Sequence, residues 1–415
     1  MRSVNDRFLE YVQMDTRSVQ PTPGVDPPHP SNPNELVLVE KIAGEFIQMG
    51  ILETQMVRLG DGSKLIEIPA TPGFENTPGI ALVFHVDTYF GCEGLAKPIV
   101  HHYQGGDIVL PNNGVIIPAS ELVGLEGKHI ITSDGTTLLG ADDKGGAAAT
   151  VTAIEEMLIS GMAHGPIWVW VCVDEEIGEV GVKFLPKEVV DQWKLFLTVD
   201  GKEPEAVDTA CFIGVSVDVE FKGVDAHPGE DGGHLRCAHY AGSCFVDRLG
   251  NEVMPTQSSG AQSFLYVPAT RPFTAALAQI TVIPRTFERD EISLLHGTVA
   301  RLAKIAAERY DVAFTVGEPE VQYINIEPAI KAHPEMLDPI FNALRKNGLT
   351  PREHRVRAGT DGAMFGMAYS DIPSPNLGYG SRRIHGVHEH LIQEEMETTV
   401  TVLLDAITSY AQMTR

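Results

Sequence analysis

Positive charge is scarce in this chain: 31 lysines and arginines stand against 56 aspartates and glutamates, a formal charge of −25 over 415 residues. A surface of that sign repels phosphate backbones and anionic headgroups, which excludes nucleic acid and membrane surfaces as expected partners and favours cations. Cysteine is scarce too. Cys92, Cys172, Cys211, Cys237 and Cys244 are odd in number and never fall in a CxxC pair, so neither a disulfide framework nor a thiolate zinc site is indicated. No apolar run approaches the roughly 18 residues of a membrane-spanning helix. Residues 1–19 are amphipathic and lack the apolar centre of a secretory leader, so the expected location is cytoplasmic. GxxxxGK[ST] is absent and no GxGxxG follows a strand-like run, which leaves no phosphate cradle for a nucleotide.

What the chain does have is length for a large core, 43% hydrophobic residues, and a sequence texture that changes twice. "GIALVFHVD" (79–87), "GPIWVWVCVDEE" (165–176) and "LFLTVD" (195–200) are continuous apolar runs of strand length, the pattern of a parallel sheet covered on both faces. Between the first two, "GADDKGGAAATVTAIEEMLISG" (140–161) has helical spacing after a Gly/Asp turn and ends in glycine. The proline-rich stretch 21–35 reads as a loop between an N-terminal helix and a helix near 34–49. Strands alternating with helices give an α/β fold class with a mostly parallel sheet. From residue 214, "GVSVDVEFKG" alternates strictly, as a half-exposed strand of a smaller antiparallel sheet does, and further strand and helix patterns follow to about 323. The expected organisation is therefore a catalytic domain (1–213 and 326–415) interrupted by a smaller α+β domain (214–325).

Each apolar run finishes in acids or a histidine. Ligands of parallel sheets bind beyond the carboxyl ends of the strands, and this rule gathers His85, Asp87, Glu175, Glu176 and Asp200 at one sheet edge. Taken singly, these residues are ambiguous: strands end in solvated acids as a matter of course, and Asp142 in "GADDKGG" serves as well for a helix N-cap as for a metal ligand. Together with "HGVHEH" (385–390) they supply more oxygen and imidazole donors than a soluble fold ordinarily gathers without metal.

"HVDT", "TSDGTTLLGADDKGG", "DEEIGEVGVKFL", "TVDG", "HPG" (227–229), "GTDGA" (359–363) and "HGVHE" (385–389) occur in the order found in the peptidase T-like, aminotripeptidase branch of the co-catalytic zinc exopeptidases. The chain resembles that family over nearly its whole length. The resemblance implies two Zn²⁺ ions per chain: Asp142 bridging them, His85 and Asp200 completing one, Glu176 and His388 the other, with His385 a neighbour. Two such ions against three carboxylates and a hydroxide sum to about zero, so the cleft holds little uncompensated charge. Glu175 is then the general base facing the water between the ions, and Asp87 orients His85. His227 is expected to stabilise the oxyanion. Arg285 in "IPRTFER" and Arg357 before "AGTDGA" are candidates to hold a peptide carboxylate, with an ordinary salt bridge as the competing role of each. The implied function is removal of the N-terminal residue from short peptides, and a homodimer through the inserted domain is expected from an exposed strand edge at 214–223.

The chain departs from this pattern after "HPG", where residues 230–273 are rewritten with histidines, a glycine pair and two cysteines. Asp200, rather than glutamate, at its ligand position favours the aminopeptidase side. The rivals are a zinc amidohydrolase of N-acylated or modified amino acids and a peptide-binding protein without catalysis. Retention of Glu175 argues against the second, since a binding module has no use for a base.

Overall fold

The computed structural model describes residues 1–20, 28–178, 180–252, 254–268 and 274–415. Residues 21–27 of the proline-rich stretch, and 253 and 269–273 of the rewritten segment, lie outside the described residues. The chain forms two compact units: Met1–Thr209 with Ile326–His354 and Thr360–Arg415, and Ala210–Asn325 with Arg355–Gly359. Arg355–Gly359, which the sequence reading leaves in the C-terminal catalytic part, cluster with the second unit.

The first unit is built on an eight-stranded sheet in the order Met56–Arg58, Lys64–Ile68, Ile167–Cys172, Gly79–His85, Trp193–Gly201, Asn376–Gly378, Ala206–Cys211, Arg352–Val356. Its centre is parallel: Leu82 lies opposite Val169 on one side and Leu197 on the other. Lys64–Ile68 and Ala206–Cys211 run antiparallel to their inner neighbours. Every residue of Gly79–His85 and Ile167–Cys172 is buried, which is why these strands read as unbroken apolar runs. Trp168 and Trp170 pack on one face with Trp193, Phe196 and Phe365. On the same sheet lies the helix Ala141–Ser160, against Gly79–His85, Trp193–Gly201 and the helices Val4–Tyr11 and Gln393–Thr414. It stops at Gly161, whose φ of 61° a glycine adopts without penalty.

Close approach of that helix to the sheet depends on Gly146. A Cβ there would stand 1.7 Å from the carbonyl oxygen of Val199, so any side chain would push the helix off the strand. The Tyr379 hydroxyl, donating to Ala141 O at 2.9 Å, ties down the helix start.

The second unit has a five-stranded antiparallel sheet. Ile213–Lys222 alternates in burial, with Val215, Val217, Val219 and Phe221 beneath the helices Ala238–Leu249 and Glu291–Tyr310. The expected free edge at 214–223 is not present. Ile213–Lys222 is an inner strand, bonded to Leu277–Thr286 on one side and to Ala313–Val316 and Glu320–Tyr323 on the other. Alternation reports which face of a strand is covered and carries no information on whether its two edges are paired. Among the described residues, no helix is long and apolar enough to cross a membrane.

Two helical glycines should respond oppositely to a methyl group. Gly146→Ala is expected to lower unfolding free energy by about 1–3 kcal/mol through overpacking. Gly44→Ala, in Asn34–Gln48 with nothing within 4 Å of the added carbon, should raise it by ~0.4–1 kcal/mol. Urea unfolding of both variants checks this, and an unaffected Gly146→Ala protein would contradict the packing described.

Candidate metal centre

Parallel register sets the first half of the centre. His85 ends its strand opposite Cys172, the last residue of Ile167–Cys172, and Asp200 lies near the end of Trp193–Gly201. Side chains leaving neighbouring parallel strands at one level converge, and the helix start at Ala141 brings Asp142 in from above them. The Asp142–Asp143 peptide is cis, and Asp142 has non-helical backbone angles at the entry of the helix.

The side chains form two groups that share one carboxylate. His85 Nε2 is 3.1 Å from Asp142 Oδ1 and 3.8 Å from Asp200 Oδ1. His385 Nε2 is 3.1 Å from Asp142 Oδ2 and 2.9 Å from Glu176 Oε1. Each group of three offers ligand atoms within 4.8 Å of one another. Glu175 stands beside the first, its Oε2 3.9 Å from His85 Nε2.

The structure thus brings together His85, Asp142, Glu175, Glu176 and Asp200, and it puts His385, not His388, in the second group. His388 is exposed, and its carbonyl accepts from His390 Nδ1 at 2.9 Å. The reason is local geometry: His385 has φ of 67°, a left-handed turn that swings its side chain back to Asp142 and Glu176. Spacing alone does not distinguish two histidines three residues apart.

Supporting contacts fix each ligand atom. Asp87 is fully buried and touches four groups: His85 Nδ1 lies 3.3 Å from Oδ1 and 3.1 Å from its backbone oxygen, and the carboxylate accepts from Ser18 Oγ and the Glu175 and Glu176 N–H groups. With its Nδ1 side held there, His85 turns Nε2 toward Asp142 and Asp200, the nitrogen that becomes a ligand on losing its proton. Three further supports were not legible from spacing. Glu389 accepts from Gly140 N–H at 2.8 Å and Asp142 N–H at 3.1 Å. Asn376 Oδ1 accepts from Asp200 N–H at 2.8 Å. Asp143 accepts from His85 N–H at 3.3 Å and Gly146 N–H at 3.2 Å. Only Glu389 had a sequence signal, its place at the end of "HGVHE".

Electrostatics mark the cluster as one that wants positive charge. Burial works against charge on His85, yet Asp142 and Asp87 hold its imidazolium well above the ordinary value. Burial likewise opposes charge on His385, but Asp142 and Glu176 take it up to about 10. Burial and the Asp142 charge push Glu176 up to about 7, and burial with Asp142 and Asp143 raises Asp200 well above the carboxylate range. Asp142, despite its burial, is held below that range by the two imidazoles. Glu176 Oε1 is buried and takes no hydrogen bond, although His385 Nε2 is 2.9 Å away, so the two atoms crowd without the alignment of a donor and an acceptor. Imidazole nitrogens and carboxylate oxygens that converge in this way, in two groups that share Asp142, fit divalent cations.

His227, Arg285 and Arg357 belong to the second unit. His227 is exposed, and its Nδ1 accepts from Glu230 N–H at 3.1 Å. Arg285 Nη1 donates to the carbonyls of Val215 and Pro284, with the guanidinium over the Tyr323 ring. Arg357 donates to Ser258 Oγ and Gln262 O and lies over Phe212 and Phe264.

Residues 133–409 match the profile of peptidase family M20/M25/M40. A peptidase T of Clostridium perfringens is 30% identical over 417 aligned positions, covering 99% of this chain and 100% of the relative. The fold is similar to that of an aminopeptidase PepT from Bacillus cereus, with a TM-score of 0.72, 22% identity and 98% of each chain covered. It is also similar to a Bacillus subtilis protein described as a dinuclear metal-binding peptidase of the M20 family, with a TM-score of 0.64 at 11% identity over 99% of this chain and 98% of that one.

Because ligation requires neutral imidazole and ionised carboxylate, adding Zn²⁺ to the metal-free protein near pH 7 should release one proton from each imidazole and more from Glu176 and Asp200, and apparent affinity should keep climbing above pH 7 toward about pH 10, where His385 loses its proton unaided. Calorimetry in buffers of different ionisation enthalpy counts the protons. Uptake with no proton release would mean that the cation sits elsewhere.

Proposed function

The chain belongs to peptidase family M20/M25/M40, and from that premise we propose that it is a two-zinc aminopeptidase removing the N-terminal residue of short peptides, tripeptides foremost. The observation that carries this reading is Asp142, which turns one oxygen to each of two imidazoles while Glu175 stands beside the first group. His85, Asp142 and Asp200 would hold one ion, and Asp142, Glu176 and His385 the other. Bound there, the two cations supply Lewis-acid polarisation of the scissile carbonyl and make water acidic enough to be deprotonated near neutrality.

The chain's own residues do the rest. Glu175 accepts the proton of the attacking water on its carboxylate and delivers it to the departing amine, so one group serves as base and then acid. Asp87, through the Glu175 and Glu176 N–H groups, keeps the base and the ligand in register. In the second unit, the Glu230 N–H on His227 Nδ1 leaves the ring proton on Nε2, the tautomer that donates to a carbonyl oxygen, and we assign His227 to the oxyanion. Arg285 and Arg357 are assigned to the substrate carboxylate. A homodimer through the second unit remains part of the proposal. It would use strand edges other than Ile213–Lys222, and elution at the monomer mass at micromolar concentration would remove it.

Mass spectrometry of products from zinc-loaded protein and a panel of tripeptides, with free or acetylated N-termini, tests the function. Loss of one N-terminal residue from the free peptides only is expected. Glu175→Gln should cut turnover by roughly 10²–10⁴-fold with metal content unchanged. Cleavage of acetylated substrates alone, or binding of peptides without turnover by the unaltered protein, would replace this reading with the amidohydrolase or the binding protein respectively.

A further inference from the structure

The two halves of the centre are held by different means. His85 has 1% of its side chain exposed and Asp87 behind its Nδ1. His385 has 41% exposed, sits on a loop between Ser381–Arg382 and His390–Ile392, and among the described residues no carboxylate or carbonyl takes the part that Asp87 plays for His85. A ring face lies there instead. Tyr89, two residues beyond Asp87, stacks on the His385 imidazole with centroids 4.5 Å apart and planes 4° from parallel.

The stack has its own local supports. Tyr89 follows Asp87 and Thr88, both buried, so its backbone starts from the fixed end of the Gly79–His85 strand. Phe90 packs on it at 4.6 Å between centroids. Gly91 makes room for it: a Cβ at 91 would fall 2.3 Å from the Tyr89 ring. A parallel neighbour fixes the plane of an imidazole, and with the plane fixed, Nε2 sweeps only the arc that contains Asp142 Oδ2 and Glu176 Oε1.

We infer that Tyr89 is the positioning residue of the second metal group, its ring face holding His385 in the ligating orientation in place of a hydrogen-bonding partner. The inference rests on the two-metal reading above. It follows that the two cation sites are of unequal strength: the one at His85, Asp142 and Asp200 is tight, and the one at Asp142, Glu176 and His385 is weaker and depends on Tyr89.

Competition between the protein and a chromophoric chelator for Co²⁺, followed together with the visible spectrum of the bound ion, reads both sites without reference to activity. The unaltered protein should lose its ions in two steps. Tyr89→Ala should weaken the looser step about five- to tenfold, the size of a stacking contact, and leave the tighter step within about twofold. Tyr89→Phe, which keeps the ring face, should match the unaltered protein, whereas Tyr89→Leu, which keeps bulk alone, should follow the alanine variant. Unchanged steps in Tyr89→Ala, equal weakening of both, or a leucine variant that behaves like phenylalanine would each overturn the inference while leaving two bound ions. Fewer than two ions on the unaltered protein would overturn the two-metal reading and this inference with it.

Discussion

Several carboxylates brought to the buried end of a parallel sheet repel one another, and the first unit is organised around that repulsion. Two like charges about 4 Å apart cost about 1 kcal/mol in water and several times more where the effective dielectric is low. Asp142, Glu176 and Asp200 have 8%, 5% and 17% of their side chains exposed, so water does little to separate their charges. The fold answers with imidazoles against the carboxylates, and with backbone N–H groups against the carboxylates behind them: Glu175 and Glu176 on Asp87, Gly140 and Asp142 on Glu389. What these contacts leave uncompensated is a need for positive charge at the point where the two groups meet. Divalent cations meet that need more completely than protons, because one ion engages several oxygens at once.

Rigidity follows from the same constraint. A cluster that repels itself stays assembled only if its backbone cannot relax, and His85, Asp200 and Asp142 accordingly come from strand ends and from a helix entry pinned by Tyr379 and Glu389. The small residues of "GADDKGGAAAT" let that helix lie directly on the strand that carries Asp200, as the contact of Gly146 with Val199 O demonstrates. Packing and site are here one feature: the glycine that permits the core also sets the height of Asp142 above the sheet.

The fold was legible where burial is total or nearly so. Gly79–His85, Ile167–Cys172 and Trp193–Gly201 declare themselves as apolar runs, and the acids that end them declare the site, because a parallel sheet has a single functional edge. Where two arrangements satisfy the same pattern, the sequence was silent. Ile213–Lys222 alternates identically whether it is an inner or an outer strand, since alternation depends on the helices above it and not on its lateral partners. His385 and His388 occupy one short loop, and the left-handed turn at His385 has no glycine or asparagine to announce it. Tyr89 was invisible, and Glu389 was marked only by its place in "HGVHE", for another reason: a ring that stacks on a ligand and a carboxylate that accepts from a helix entry obey no spacing rule, because their partners lie hundreds of residues away in the chain.

Two adjacent glutamates serving two different groups pose the last structural question, and Asp174 answers it. The strand ends at Cys172, and Asp174, fully buried at φ of 57°, reverses the chain into the short turn Glu175–Ile177. Its carboxylate accepts from Ser31 N–H and contacts His29 Nδ1 at 2.7 Å, while its own N–H donates to Glu35. A left-handed aspartate is costly for a residue with a side chain, and these contacts offset that cost by making the reversal the conformation in which its buried polar groups are satisfied. Beyond the reversal, successive side chains diverge: Glu175 reaches the neighbourhood of His85 and Glu176 that of His385. In an extended strand the two would have pointed to opposite faces of the sheet, one of them into the tryptophan-lined core. The turn at Asp174 therefore does what neither glutamate does alone, placing a proton acceptor and a ligand from consecutive residues on the same side of one sheet edge.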